Sequence, residues 1–384
     1  MRHIKYGLWL LLTALTLTFN ACKSDSDATS DTMDIDEDDD LTTATVGDSY
    51  VYQLPVIFHV FYKNKNDTTQ YIPASLLTRI INNVNEIYQG NVYGESENIN
   101  VKFHMAITDE NKHKLATPGV EYIQYTGTLP IDCETFMKDK NNVQYLWEPN
   151  DYINIMLYPF KAGSDGTVTL GISHMPYALE GDTTLAGLTT VPQSNITKRN
   201  LSYPHCSSIN SLYVYNESSR YYLSDKGKSG YSYNSTDINV TIAHELGHYL
   251  GLLHMFTEHS TSGGFEPADS CGDTDYCKDT PSYNKVEYDT YFTDYMKTTT
   301  KDKFDLYDLL RRTNCDGQKF YSANIMDYAV SFSYKLSADQ KSRIRNVLYS
   351  CPLIPGPKKS TTRAIAQDGI MDLPVRTIKQ RKQV

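Results

Sequence analysis

The chain has 384 residues and a formal net charge of −10 at pH 7. Hydrophobic residues make up 40% and charged residues 21%, which is typical of a folded globular protein and excludes a largely disordered chain. The acidic balance argues against non-specific nucleic-acid binding, which needs a basic surface. After the N-terminus no apolar run reaches the roughly 18 residues of a membrane-spanning helix, which excludes a protein with several spans.

The first 22 residues resemble a bacterial export and lipid-anchoring signal. Two basic residues precede a 13-residue apolar stretch, Gly7 to Phe19, which is too short to span a bilayer. Ala21 and Cys22 follow, the small residue and cysteine at which bacterial lipoproteins are cleaved and lipidated. We expect a signal peptide over residues 1–21 and a lipid anchor at Cys22. An ordinary secretory signal cleaved near Ala21 is the alternative.

The segments that flank the predicted folded domain are both strongly charged. Residues 23–40 hold nine acids and one lysine, which predicts an extended, self-repelling tether over residues 22–47. Acidic residues after a lipidated cysteine resemble surface-export signals of Gram-negative lipoproteins, and a solvated spacer explains them equally well. Residues 356–384 form a basic tail with seven Lys or Arg and two Asp, either packed on the acidic body or disordered. We expect an exported protein, lipid-anchored to the outer membrane at the cell surface.

Residues 48–355 are predicted to form the folded domain. Tyr50–Tyr62 is rich in β-branched and aromatic residues and predicts a buried strand. Aliphatic residues at helical spacing predict a helix over Pro73–Gln89. Further strands are predicted over Asn98–Thr108 and Asp151–Pro159, and residues 163–228 as mostly loop with short strands.

Two more helices are predicted in the second half of the chain. One begins near Asp237, whose side chain can cap it, and runs to Gly251. The other covers Ser337–Tyr349. This order of elements predicts an α+β fold with an upper lobe over about residues 48–251 and an irregular lower lobe over about 252–355.

The helix after Asp237 carries His244, Glu245 and His248, in the HExxH pattern of zinc hydrolases. Four helical residues rotate the side-chain direction by about 400°, which puts both histidines on one face. Two imidazoles on one face can bind one metal ion, with Glu245 beside it as a general base toward water.

His254 is the candidate third ligand, although an unbroken helix would rotate it about 240° away from that face. A helix that ends at Gly251 in the left-handed conformation would let the chain fold back and bring His254 to the metal. The full pattern HELGHYLGLLH arises by chance in roughly two per hundred thousand sequences of this composition. The pattern therefore predicts one Zn²⁺ held by three histidines.

This extended pattern resembles the metzincin clan of zinc proteases, in which HExxHxxGxxH is followed by a methionine turn. Asn324–Tyr328 (NIMDY) matches that turn. The resemblance implies that Met326 lies beneath the three histidines and that Tyr328 stabilises the tetrahedral intermediate. It also implies a zincin fold, with a mixed sheet, the active-site helix and a backing helix in the upper lobe, and with the methionine turn and C-terminal helix in the lower lobe.

Within the clan, the segments LPVIFHVFY, DTDYCKDTP and NIMDY resemble the pappalysin (cytophagalysin-like) family over about Tyr50 to Pro352. This implies a metalloendopeptidase that hydrolyses extracellular proteins or peptides, with an extended substrate paired on an edge strand of the upper-lobe sheet. Two alternatives remain: a zinc-bearing surface lipoprotein that binds a ligand without cleaving it, and a zinc amidase for a non-protein substrate. The intact Glu245 disfavours the first, and the methionine turn disfavours the second.

Two further groups of residues, acids and cysteines, carry additional hypotheses. Acids that crowd the segment after the third histidine suit Ca²⁺, and Asx-turn chemistry explains the same residues; they are Asp269, Asp273, Asp275 and Asp279.

Six cysteines in an exported chain favour disulfides; they are Cys133, Cys206, Cys271, Cys277, Cys315 and Cys351. We expect at least one of Cys271 and Cys277 to be bridged, with Cys315 the nearest downstream partner and Cys351 or Cys206 closing the other.

Overall fold

The computed structural model describes residues 49–163, 167–192, 194–222, 232–261, 264–328, 330–358 and 368–383. The predicted signal peptide, the candidate lipid anchor Cys22 and the acidic tether lie outside these ranges. No helix within them is both long and apolar enough to cross a bilayer.

The described part of the chain contains thirteen strands and six α-helices. The strands are β1 (Tyr52–Tyr62), β2 (Val101–Met105), β3 (Val120–Gln124), β4 (Ile153–Tyr158), β5 (Thr167–His174), β6 (Tyr177–Leu179), β7 (Thr189–Val191), β8 (Ser207–Asn210), β9 (Glu258–Thr261), β10 (Gly264–Pro267), β11 (Arg311–Thr313), β12 (Lys319–Tyr321) and β13 (Thr377–Gln383). The helices are α1 (Ala74–Gln89), α2 (Cys133–Lys138), α3 (Ile238–Tyr249), α4 (Lys285–Thr298), α5 (Leu306–Leu310) and α6 (Ala338–Ser350).

Seven of the described strands form one mixed sheet in the order β13-β5-β8-β4-β1-β2, with β3 also paired to β1. The pairs from β8 through β4 and β1 to β2 and β3 are parallel. In contrast, β5 runs antiparallel to β8, and β13 antiparallel to β5. Strand β1 is buried along most of its length, which accounts for its nearly continuous apolar sequence. The fold is α+β, as the sequence predicts.

Helices α1 and α3 pack together beside this sheet and share its main hydrophobic core. The Tyr88 hydroxyl of α1 donates to the Ala243 carbonyl of α3 at 2.9 Å. The Asn83 amide donates to the Asn239 side-chain oxygen at 3.0 Å. The predicted backing helix is therefore α1, and these buried polar contacts fix its position against the helix that carries the HExxH residues.

Two elements lie where the sequence does not predict them. Helix α4 falls in the segment expected to be irregular. The sequence does not predict this helix because its aromatic and acidic residues lack a helical period of aliphatic residues. The helix buries Lys285 and Tyr288. Strand β13 falls in the predicted basic tail, which therefore completes the sheet instead of lying outside the domain. Its sequence, TIKQRKQ, has a single apolar residue, Ile378, so hydrophobic alternation does not mark it as a strand.

Candidate active site

Helix α3 is held at both ends by the residues that the sequence indicates. The Asp237 carboxylate accepts the backbone N–H of Asn239 at 2.9 Å and caps the N-terminus. At the other end Gly251 has a φ of +90°, and the backbone N–H of Leu252 donates to the Gly247 carbonyl at 2.9 Å. This is a Schellman turn with glycine in the left-handed conformation. The predicted helix end at Gly251 is confirmed.

We expect Gly251→Ala to lower the free energy of unfolding by about 1–3 kcal/mol, because a left-handed φ strains any residue with a Cβ. The added Cβ would also lie 2.6 Å from Cγ2 of Val347 on α6. Gly272→Ala is a matched control, since a Cβ at that position meets no atom within 4 Å. Urea unfolding of the two variants measures the difference, and equal losses would contradict this explanation.

After this turn the chain brings His254 beside the two helical histidines, and all three side chains are buried. The His244 Nε2 lies 2.9 Å from the His248 Nε2 and 3.2 Å from the His254 Nε2. The His248 Nε2 lies 3.1 Å from the His254 Nε2. These spacings are close to the roughly 3.3 Å between nitrogens that bind one tetrahedral Zn²⁺ at about 2.0–2.1 Å.

The other ring nitrogen of each histidine faces an oxygen, a backbone carbonyl for His244 and His248 and a side-chain carboxyl for His254. The His244 Nδ1 donates to the Ile325 carbonyl at 2.6 Å, and the His248 Nδ1 to the Leu252 carbonyl at 2.8 Å. The His254 Nδ1 donates to the Glu258 carboxylate at 2.7 Å. Each Nδ1 therefore holds the proton of a neutral ring, and each Nε2 carries a lone pair.

Three lone pairs that converge within 3.2 Å repel one another unless a cation lies among them. The three histidines are the one group of metal-binding side chains that converges within the described ranges. Burial lowers the pKa of His248 and His254 well below the usual range, which keeps both rings neutral and able to bind a metal. The donor set fits the predicted Zn²⁺.

Glu245 is fully buried between α3 and strand β5. The Ser173 hydroxyl of β5 donates to its Oε2 at 2.6 Å. A Cβ on Gly171 would collide with the Glu245 Cγ, so the strand approaches the carboxylate closely where it has a glycine. Burial raises the pKa of the Glu245 carboxyl to about 8, against the opposing effects of Ser173 and the Gln380 backbone.

The predicted methionine turn lies against the same helix. Met326 is fully buried, and a Cβ on Gly247 would lie 2.6 Å from its sulfur. The Tyr328 ring centroid lies 4.7 Å from that of His254 and 6.2 Å from that of His244. Met326 therefore packs against α3 at Gly247, and the Tyr328 ring lies beside two of the histidines.

Three positions that support the site were not singled out from the sequence. Glu258 orients His254, Ser173 orients Glu245, and Gly171 leaves room for the carboxylate. Glu258 lies four residues after His254, but in the strand β9 and not on a helix, so a helical-spacing argument cannot find it. Ser173 and Gly171 lie in β5, within the stretch expected to be mainly loop.

The four aspartates expected as calcium ligands do not converge in the described part of the chain. Each carboxylate accepts a hydrogen bond from a different donor. Asp273 accepts from the Tyr276 N–H and Asp275 from the Cys277 N–H. Asp269 accepts from the Asn284 amide, and Asp279 from the Ser337 hydroxyl. Two of these bonds form tight turns and the others tie the segment to its neighbours. The calcium hypothesis stays a prediction, and turn hydrogen bonds account for Asp273 and Asp275.

Cys271 and Cys315 form the expected disulfide, across a sequence separation of 44 residues. It ties the segment after the third histidine to the turn between β11 and β12. Cys277 lacks the second bridge that was expected to reach Cys351 or Cys206. The structure leaves four buried thiols unbridged, at Cys133, Cys206, Cys277 and Cys351. The expected bridge from Cys277 is therefore wrong, since Cys351 is buried in the main core and Cys206 in a second apolar cluster.

We expect the double variant Cys271→Ala with Cys315→Ala to lose about 4 kcal/mol of unfolding free energy, because the bridge restricts a loop of this length in the unfolded chain. A reducing agent should destabilise the unchanged protein by the same amount and leave the double variant unaffected. Cys277→Ala, which removes an unbridged thiol, should keep the sensitivity to reductant. Thermal unfolding with and without reductant tests this, and an insensitive parent protein would contradict it.

Residues 180–349 match the family described as peptidase M43, pregnancy-associated plasma protein-A. The match spans α3, the three histidines, Glu245 and the methionine turn, and supports a metalloprotease. No curated protein matches the chain in sequence.

Solved structures of mirolysin are similar to the chain. Mature Tannerella forsythia mirolysin in complex with a cleaved peptide has 21% sequence identity and a TM-score of 0.45, covering 77% of this chain and 91% of that chain. A Tannerella forsythia promirolysin mutant has 19% sequence identity and a TM-score of 0.44, and the match covers 77% of this chain and 80% of that chain. Mirolysin in complex with a compound has 19% sequence identity and a TM-score of 0.45, and the match covers 78% of this chain and 92% of that chain.

Proposed function

We propose that this protein is a zinc-dependent endopeptidase that hydrolyses peptide bonds of extracellular proteins or peptides. One observation carries the proposal. Three unprotonated imidazole nitrogens converge within 3.2 Å, beside the buried carboxylate of Glu245. A purely structural cluster has no need of three converging lone pairs next to a base. The family match over this region supports the same function.

The roles of the residues follow from their surroundings. His244, His248 and His254 would hold Zn²⁺, which when bound polarises a carbonyl and makes water more acidic. Glu245 would take a proton from the attacking water and deliver it to the leaving amine. Its raised pKa suits both steps, since a base near neutrality can also act as an acid.

Other residues would hold these groups in place. Ser173 fixes one oxygen of Glu245, so the second oxygen remains for the water proton. Glu258 holds the ring of His254 in one tautomer and orientation. Tyr328, packed on the histidine rings, would stabilise the oxyanion of the tetrahedral intermediate.

Incubation of the purified protein with casein, after zinc loading and again after chelation, tests the function. A zinc endopeptidase should release peptides in the first condition, lose that activity in the second and regain it on adding Zn²⁺. Zinc binding without hydrolysis, also in a variant whose strand β13 is released from β5, would indicate a binding lipoprotein. Hydrolysis of a small non-peptide amide in place of casein would indicate an amidase.

We also propose that Cys22 anchors the protein to the outer membrane through attached acyl chains. A doubly acylated cysteine gives firm attachment, whereas a single chain gives marginal attachment. We expect Cys22→Ala to move the protein from the membrane fraction to the soluble fraction. Metabolic labelling with palmitate measures the same change, and labelling that persists in the variant would exclude Cys22 as the acylated residue.

A further inference from the structure

Strand β13 lies along the edge of the sheet that borders the candidate active site. It pairs antiparallel with β5 from Thr377, opposite His174, to Gln383, opposite Thr167. Gln380 lies opposite Gly171, the residue whose backbone approaches Glu245. Strand β13 also packs against α3. The C-terminal end of the chain therefore runs directly beside the catalytic carboxylate.

Several contacts hold β13 and the residues before it. The Arg376 carbonyl accepts the Met175 N–H at 3.0 Å, and the Arg376 guanidinium donates to the Thr261 carbonyl at 2.6 Å. Ile378 is 1% exposed and belongs to the main core. The Lys379 ammonium pairs with the Glu134 carboxylate on α2. The segment is therefore a fitted part of the fold, with an apolar anchor and an ion pair.

This placement has two consequences for a substrate. An extended peptide would need the free N–H and C=O groups at the outer edge of β5, and β13 already uses them. Glu245 is fully buried with β13 in place. An extended substrate can therefore reach its carboxylate along this edge only when β13 moves away.

We propose that β13 is an intramolecular inhibitor, which occupies the edge of β5 where an extended peptide substrate pairs. The inference rests on the proposed peptidase function. A tethered strand acts at an effective concentration on the order of millimolar, so a peptide at micromolar concentration competes poorly with it. Activity then requires that β13 leave the edge of β5.

The first test locks the strand. Val168 and Lys382 are direct partners in the register of β5 and β13, so cysteines at both positions can cross-link the two strands. Formation of that disulfide also reports that the variant folds with β13 in place. In a Glu245→Ala background, which prevents cleavage, binding of a labelled peptide with the sequence of residues 374–384 is measured by fluorescence anisotropy. We expect the oxidised form to bind at least about tenfold more weakly than the reduced form.

The second test loosens the strand without touching the site. Lys379→Glu replaces the attraction to Glu134 by repulsion and should raise peptide binding and hydrolysis by about fivefold. Adding Glu134→Lys to this variant restores an attractive pair with the two charges exchanged. The double variant should therefore return to low peptide binding and low hydrolysis. Lys198→Glu, which alters the exposed pair with Glu110, is the matched control and should change neither value.

The outcomes separate the two proposals. Equal peptide binding by the locked and reduced forms would overturn the inhibitor role of β13. If binding follows the state of β13 but no zinc-loaded variant hydrolyses peptides, the inhibitor role stands and the proposed function fails. The reductant would also break the Cys271–Cys315 bridge. Peptide binding by the protein without the added cysteines is therefore measured with and without reductant as a control.

Discussion

Replacement of Glu245 by alanine is expected to lower peptide hydrolysis by a factor on the order of 10²–10⁴, because it removes the general base and keeps the three histidines. Zinc content should remain one ion per chain, since no metal-binding nitrogen changes. Alanine at this position also removes one acceptor of Ser173, which keeps the backbone carbonyl of residue 245 at 2.9 Å, so this loss is small compared with the loss of the base.

Steady-state hydrolysis of a fluorogenic peptide, with zinc measured by atomic absorption, checks this expectation. The comparison is made in the unchanged chain and in the Lys379→Glu chain, where β13 is loosened. Asp308→Ala is a suitable control, because that acid forms an exposed pair with Arg311. Near-normal turnover in Glu245→Ala would mean that another group activates the water.

Replacement of Asp327 by alanine is expected to lower the free energy of unfolding by about 3–5 kcal/mol, because it leaves a buried cation without its partner. The Asp327 carboxylate lies 3.6 Å from the Arg312 guanidinium, and both side chains are fully buried. The Tyr283 hydroxyl also donates to Asp327 at 2.7 Å. These contacts fix the residue that follows Met326, so the methionine turn depends on them.

Urea unfolding measures this loss, and the surface pair between Asp308 and Arg311 supplies the control. These side chains lie 2.7 Å apart but are 38% and 46% exposed, so Asp308→Ala should lower the free energy of unfolding by less than about 1 kcal/mol. If Asp327→Ala costs no more than Asp308→Ala, the Arg312 guanidinium must be satisfied by its backbone acceptors, the Leu309 and Val330 carbonyls, alone.

The arrangement of the histidines could be predicted from the sequence because a helix has one fixed period. That period places His244 and His248 together, and the left-handed preference of glycine places the break at Gly251. Both inferences depend on residues within one short segment. The α+β class follows in the same way from the local periodicity of β1, α1 and α3.

The supporting residues could not be predicted, because distant parts of the chain supply them. Ser173 and Gly171 act on Glu245 from a strand about 70 residues earlier, and β13 reaches the same place from the C-terminus. The roles of the four aspartates could not be predicted for a related reason. Aspartates that are close in sequence can bind one cation together, or each can accept hydrogen bonds from nearby backbone N–H groups. The folded backbone decides which of these it provides.

The pairing of β13 with β5 also orders the events of folding. It joins segments separated by about 200 residues, and contacts over such separations close large loops and form late. The helix α3 with its histidine turn, and the neighbouring parallel strands, depend on shorter separations and can form first. The refolding chain should therefore pass through a state in which the metal-binding histidines are assembled and the outer edge of β5 is still free.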